Sequence, residues 1–275
     1  MRGIELLKAL LIGAVQGITE WLPVSSTGHM ILLGSFLGLR GSEGFEGLFP
    51  VALHLGSLFA VFGVFHRRLR LSFDGGPLGR RNRRLLLFVF LGCLPAGVAG
   101  VFLEDLLETY FYNPLSVSLV LLLYGILFIL MEHRRKGREP RIGDAEELSL
   151  RDALFIGAFQ VLALVPGTSR SGATILGATL IGVGRSPAAE FSFLMALPLM
   201  AGAALFECRG LVTAGWALSP TEWGSLAAGM LSAFLVSRIT VDFLLNFVKK
   251  HSFEIFGWYR ILLSAALLLL SLFIA

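Results

Sequence analysis

Two short polar runs interrupt an otherwise apolar chain of 275 residues. The first contains Gln16, Glu20, Pro23, Ser25, Ser26, Thr27, Gly28 and His29. Gln16 and Glu20 are four residues apart, so a helix would set them on one face. Pro23 should end that helix. Ser25, Ser26 and Thr27 then open the next one, where hydroxyls either cap the helix or meet a ligand at its positive end. The second run is Pro166, Gly167, Thr168, Ser169, Arg170, Ser171, Gly172, Ala173 and Thr174. Gly167 and Gly172 allow close backbone approach. Free N–H groups, hydroxyls and one guanidinium converging there would cradle a phosphate. An ionisable group in a membrane costs at least ~2.5–3.5 kcal/mol on insertion scales, so it should have a partner or a task. If the two runs meet, Glu20, His29, Arg170 and several hydroxyls share a cavity. That set suits binding of a diphosphate and acid–base or nucleophilic chemistry.

The elements that position these runs follow from composition. The chain is 55% hydrophobic and 15% charged, with a mean hydropathy of +0.78. Soluble domains carry about 25% charged residues. Long apolar runs near the ~20 residues that cross a bilayer imply transmembrane helices. Lipid cannot satisfy a free backbone, and the alternation of a lipid-facing barrel is absent. Six spans fit, at about 49–65, 85–103, 114–131, 190–206, 224–246 and 256–274. The fold class is therefore an all-α polytopic membrane protein, one transmembrane domain over 1–275.

Charge sets the expected orientation. The loop Arg67–Arg84 holds seven arginines, and Glu132–Arg151 holds Arg134, Arg135, Lys136, Arg138, Arg141 and Arg151. With Lys249 and Lys250, these read as cytoplasmic by the positive-inside rule. Glu104, Asp105 and Glu108 in one opposing loop, and Glu207, Arg209 and Glu222 in another, are acidic or nearly balanced. The basic residues thus read as topology, and no nucleic-acid partner is expected. Cys93 and Cys208 give neither a disulfide framework nor a metal-ligand spacing.

The chain also resembles itself. At an offset of 144 residues, Ile12, Gly13, Ala14 and Gln16 meet Ile156, Gly157, Ala158 and Gln160, Ser25 meets Ser169, and Gly28 meets Gly172. Three spans follow each copy, which gives the halves opposite orientation. The expectation is two inverted-topology repeats, 1–131 and 150–275, joined by a cytoplasmic loop 132–149. Each would begin with a re-entrant helix hairpin, and the hairpin tips would meet near mid-membrane.

Both polar runs resemble the signatures of the undecaprenyl-diphosphatase family, also called the bacitracin-resistance family. Its first motif is Glu/Gln-x-x-x-Glu followed by Pro-x-Ser-Ser-Thr-Gly-His, here Gln16 to Glu20 and Pro23 to His29. Its second is Pro-Gly-x-Ser-Arg-Ser-Gly-x-Thr, here Pro166 to Thr174. The resemblance extends over essentially the whole chain. It implies hydrolysis of undecaprenyl diphosphate to undecaprenyl phosphate and inorganic phosphate, recycling a cell-wall lipid carrier and conferring bacitracin resistance. It implies a bacterial plasma-membrane protein whose active site faces the periplasm, with a homodimer left open. It implies a divalent cation, Mg2+ or Ca2+, with Glu20 as ligand. Position 16 is Gln rather than Glu, so one carboxylate is missing and only the Gln16 carbonyl remains to assist.

The roles expected on that basis are Ser26 as nucleophile, with a phosphohistidine at His29 as the rival intermediate. Glu20 is base or metal ligand, His29 acid–base partner, and Arg170 the charge neutraliser. Gln16, Ser25, Thr27, Gly167, Thr168, Ser169, Ser171, Gly172 and Thr174 bind the diphosphate. His54, inside a span, reads first as a packed histidine and second as a hydrogen-bonding group near the site. Arg238 and Asp242 read as an intrahelical pair and Glu190 as a helix N-terminal charge. The second function class is a transporter or flippase for an anionic lipid, because inverted repeats with broken helices also build transporters. Phosphate release by solubilised protein separates the two.

Overall fold

The computed structural model describes residues 2–39, 41–213 and 218–274. The side chains of Glu104, Asp105, Glu108 and Arg209, named above for loop charge, lie outside the described residues. Among the described residues the chain forms ten α-helices, two 3₁₀ turns and no strand. The helices are α1 (Arg2–Thr19), α2 (Ser26–Leu37), α3 (Glu43–Leu71), α4 (Pro77–Phe111), α5 (Pro114–Arg135), α6 (Leu150–Val161), α7 (Arg170–Leu180), α8 (Arg185–Thr213), α9 (Pro220–Phe247) and α10 (Glu254–Ile274). Six of them, α3, α4, α5, α8, α9 and α10, are long and apolar enough to cross a membrane.

These helices outrun their apolar windows, and the basic loops shrink accordingly. The segment 67–84 is mostly helix: Arg68 and Arg70 lie in the last turn of α3, and α4 starts at Pro77. Cations in the last turn of α3 meet the negative end of its dipole. Outside the hydrocarbon, helix is still the backbone's cheapest way to pair its polar groups. The faces pointing away from the bundle are apolar. On α4, Leu87, Phe90, Leu94 and Val98 are exposed at helical spacing. On α9, Leu231, Leu235, Ile239 and Phe243 repeat the pattern. Such stripes suit lipid as solvent.

The helices pair in a regular way. α1 packs along α9, and α6 along α4. α3 lies against α8 and α9, while α8 lies against α3 and α4. α5 packs along α10, α2 touches α10, and α7 touches α5. Exchanging the first five helices for the last five returns these pairings. Small residues let backbones approach at the matching places. A Cβ on Gly13 of α1 would overlap the carbonyl of Gly229, and one on Gly157 of α6 would overlap that of Gly92. Gly125 of α5 and Gly257 of α10 are reciprocal: a Cβ on either would lie 2.8 or 2.7 Å from the other's carbonyl oxygen.

Ion pairs gather at the end of the bundle that carries the basic segments. Arg68 bridges Glu146 at 3.0 Å and Glu190 at 2.8 Å. Glu190 therefore ties α8 to α3, beyond serving its own helix end. Glu132, buried at the end of α5, takes Arg185 at 2.5 Å and the backbone N–H of Phe253 at 2.9 Å. Arg238 and Asp242 form the pair within α9 that their spacing predicts.

Gly157→Val should lower the thermal unfolding temperature of detergent-purified protein, since overpacking of this kind costs roughly 1–3 kcal/mol or more. Gly63→Ala, where a Cβ meets nothing within 4 Å, should leave it unchanged. Equal behaviour of the two variants would contradict the α4–α6 contact.

Candidate active site

Each polar run forms a helix, a tight turn and a second helix. α1 ends at Thr19, one residue before Glu20 and ahead of Pro23. The turn continues its geometry, because Glu20 N–H still donates to Gln16 O at 3.0 Å. Gln16 and Glu20 thus keep their shared face, and Gln16 Nε2 donates to Glu20 Oε2 at 3.0 Å. α2 then starts at Ser26, with Ser25 as its cap accepting from Gly28 N–H at 3.4 Å. The second run repeats this. Ser169 caps α7, accepting from Gly172 N–H at 3.2 Å. Among the described residues, Ser25 and Ser169 are the two non-glycine positions with positive φ, both at 71°. Such a backbone state costs on the order of 1–3 kcal/mol and persists only when its surroundings hold it.

What holds both turns is Arg260 of α10, a fully buried side chain. Its Nη1 donates to Pro23 O at 3.1 Å in the first turn. Its Nη2 donates to Gly167 O at 2.7 Å and Thr168 O at 2.5 Å in the second. The guanidinium lies over Tyr124 and Phe128, 5.3 and 5.9 Å from the ring centroids. A Cβ on Gly172 would come 2.7 Å from Arg260 Nη1, which accounts for glycine there. No motif marks Arg260, and the available signal is an arginine inside an apolar span.

The two turns meet at Glu20. Its Oε2 accepts from Gln16, from Ser26 Oγ at 3.1 Å, and lies 3.8 Å from His54 Nε2. Its Oε1 lies 3.4 Å from Arg170 Nη2, across the two halves of the chain. Side-chain exposure is 9% for Glu20 and 10% for Arg170, so each charge depends on the other. The 3.4 Å separation exceeds the 2.7–2.9 Å of a tight charge-assisted bond. Arg170 is further held by Ser192 O at 3.1 Å and by the face of Trp21 at 5.4 Å. Its Nε has no partner. The guanidinium therefore retains donors for an anion.

A cavity of about 740 Å³ opens on the far side of Gln16, Ser26 and His54, the groups around Glu20 Oε2, so that Glu20 and Arg170 lie behind its wall. Gln16, Ser26, Thr27 and His54 supply its polar wall. Ile12, Met30, Leu33, Phe49 and Leu53 supply much of its apolar wall. It extends past Gly38, Glu46, Tyr112 and Glu207, at the end opposite the basic segments.

The remaining sequence-named residues lie elsewhere. Ser25, Thr168, Ser171 and Thr174 are buried. Ser171 Oγ donates to Glu20 O at 3.4 Å and Leu22 O at 3.3 Å, and pairs with Ser169 Oγ at 3.1 Å. Thr174 Oγ1 bonds Arg170 O at 2.9 Å and Ser192 Oγ at 2.7 Å. Thr174 thus braces the start of α7 at Arg170 and Ser171 ties it to the first turn, while Gly167, Thr168 and Gly172 pack on Arg260; none of them lines the cavity. His29 is also set apart: its Nδ1 bonds Ser25 O and its Nε2 bonds Tyr259 Oη, each at 2.7 Å. Among the described residues none of its hydrogen bonds goes to Glu20 or Ser26. The imidazole facing Glu20 is that of His54, at 3.8 Å, the second of the two readings its position in the span allows.

Among the described residues no group of three His, Cys, Asp or Glu side chains could hold a metal ion. Close to Ser26 the candidate ligands are the Glu20 carboxylate and the Gln16 amide, which here turns its NH2 toward that carboxylate, while Glu46 and Glu207 line the far end of the cavity. A divalent ion could use Glu20 and Gln16 together only with further oxygens from a bound phosphate.

Comparison with known proteins gives a consistent result. The family model described as bacitracin resistance protein BacA matches residues 9–266. Undecaprenyl-diphosphatase 1 of Clostridium acetobutylicum is 44% identical over 98% of both chains. Undecaprenyl-diphosphatase of Acetivibrio thermocellus is 46% identical over 97% of both. Undecaprenyl-diphosphatase 1 of Clostridioides difficile is 44% identical over 96% of both.

Arg260→Met keeps the bulk but leaves three carbonyls unmet, each costing roughly 1–3 kcal/mol. Its unfolding temperature should fall well below that of the parent. Arg260→Lys should fall nearly as far, because a single ammonium lacks the fork that spans both turns. A melting curve indistinguishable from the parent's for either variant would contradict the role given to Arg260.

Proposed function

The chain belongs to the bacitracin resistance protein BacA family, and on that premise we propose that it removes the terminal phosphate of undecaprenyl diphosphate within the cavity beside Glu20. The observation that carries this reading is the group Ser26–Glu20–Arg170, a hydroxyl on a carboxylate with a guanidinium opposite. The enzyme is a multi-pass membrane protein, and its activity returns undecaprenyl phosphate to cell-wall synthesis and underlies bacitracin resistance. The transporter reading is not favoured, since it rests on architecture alone.

The mechanism follows from the placement of donors and acceptors. Ser26 Oγ already donates to Glu20 Oε2. As Oγ attacks the terminal phosphorus, Glu20 takes that proton. The bond from phosphorus to the bridging oxygen breaks, and undecaprenyl phosphate leaves. Water then attacks the phosphoserine and restores Ser26. Arg170, with unused donors, stabilises charge on the transferring phosphoryl group, where most catalysis of this reaction class lies. His54, on the cavity wall beside Glu20, is placed to order the attacking water. A phosphohistidine at His29 is disfavoured, because both ring nitrogens are engaged away from the cavity. A divalent cation, if bound, would be held by Glu20 and Gln16 with the diphosphate's own oxygens. It would neutralise charge on the two phosphates.

The finer architecture belongs to the same proposal. Two inverted repeats, 1–131 and 150–275, are supported by the exchange symmetry of the helix pairings and by the matched turns at Ser25 and Ser169. The short pairs α1–α2 and α6–α7 would be re-entrant hairpins entering from opposite faces. The basic segments would lie in the cytoplasm, so the cavity would open toward the outer side of the plasma membrane.

Purified protein should release phosphate from a C55 or C15 prenyl diphosphate. Ser26→Ala should lose activity by at least ~100-fold, the low end for removing such a group. Acid quenching of the parent should trap phosphate on Ser26. Phosphate mapped elsewhere would replace Ser26 as nucleophile, and no release with any divalent cation would overturn the phosphatase reading.

A further inference from the structure

We infer that Tyr259 and His29 form a positioning relay that fixes the backbone turn at Ser25 and thereby aims Ser26 at Glu20. The inference rests on the reading of Ser26 as nucleophile. Its starting point is the chemistry of the two bonds at the imidazole. Ser25 O can only accept, so His29 Nδ1 must carry the ring hydrogen. In the neutral ring Nε2 is then an acceptor, and Tyr259 Oη is the donor that meets it at 2.7 Å. The two rings lie nearly parallel, 8° apart, which keeps the phenol in line with the imidazole. The carbonyl thus sets the tautomer, and the phenol's donated hydrogen bond stabilises it.

The second half of the chain shows why a ring is placed there. At the 144-residue offset, His29 corresponds to Ala173 and Ser25 to Ser169. In the second turn the cap carbonyl is held by the backbone: Ala173 N–H donates to Ser169 O at 2.9 Å. No side chain is needed. In the first turn the matching carbonyl takes the His29 ring instead. Both cap serines sit in the left-handed region, where L-residues need external support. The second turn also has two carbonyls on Arg260, at Gly167 and Thr168, against one in the first, at Pro23. The first turn therefore has less support from Arg260, yet it carries the hydroxyl that must point at Glu20.

The test compares side chains that keep one ring nitrogen's function and not the other. Asn sets an amide donor near the place of Nδ1, whereas Gln reaches toward the place of Nε2. Phosphate release would be measured for His29→Asn, His29→Gln and Tyr259→Phe, each first checked for an unchanged unfolding temperature. His29→Asn should keep kcat within about 10-fold of the parent, with KM unchanged, while His29→Gln falls much further. Tyr259→Phe should lower kcat about 3- to 10-fold at constant KM, the effect of one hydrogen bond. An Asn variant as inactive as His29→Gln would assign the ring itself to the chemistry and overturn the relay. So would an unchanged kcat in Tyr259→Phe. Nitrogen-15 shifts of the His29 ring give a readout independent of turnover. The parent should show hydrogen on Nδ1, and Tyr259→Phe should shift it toward Nε2. Hydrogen on Nε2 in the parent would overturn the relay even if the phosphatase reading stands. Lack of phosphate release with hydrogen on Nδ1 would sink that reading alone.

Discussion

A broken helix among membrane spans leaves carbonyls that lipid cannot satisfy. Arg260 resolves that problem for both turns at once. One guanidinium collects Pro23 O, Gly167 O and Thr168 O, and it rests over two aromatic rings in place of water. The fork geometry of arginine suits this better than a point charge. Because the three carbonyls come from two turns far apart in sequence, the same contacts that satisfy the backbone also join the two halves. The strained caps at Ser25 and Ser169, and the side chains they aim, depend on that junction.

The chemistry divides unequally between two similar scaffolds. At the 144-residue offset Glu20 corresponds to Leu164, Ser26 to Arg170, and His29 to Ala173. The first turn therefore carries the carboxyl, the hydroxyl and the imidazole that holds the Ser25 carbonyl, and the second carries the guanidinium. Neither half alone could keep its charge at low cost. Glu20 and Arg170 neutralise each other across the junction at 3.4 Å, longer than a tight charge-assisted bond. Of the second turn's polar groups, Thr174 bonds Arg170 O and Ser192 Oγ, Ser171 reaches Glu20 O, and the Thr168 carbonyl goes to Arg260.

Much of this was legible in the sequence, and the gaps have physical causes. Hydropathy located all six spans, since each core is near the bilayer's thickness. It missed their ends, because helices continue into water without apolar residues. Glu20 and Arg170 stood out as charges in apolar surroundings. Arg260 carried the same signal, but its span remained apolar enough to mask it. Ser171 and Thr174 could not be told from ligand-binding hydroxyls, because a hydroxyl bonds a carbonyl or a phosphate equally well. His54 and His29 exchanged expected places. Which imidazole faces Glu20 is decided by how α3 and α10 pack, and no local spacing records that.

Glu20 and Arg170 face each other in one buried site, and the two halves meet through them. A stability cycle over Glu20→Gln, Arg170→Gln and the double variant tests it most directly, by thermal unfolding of purified protein. Removing one partner strands the other charge, which costs several kcal/mol, while removing both strands neither. The double variant should be more stable than the sum of the two losses allows, with a coupling of at least ~1 kcal/mol. Simple addition of the two losses would mean that the charges do not meet, and would contradict that pairing.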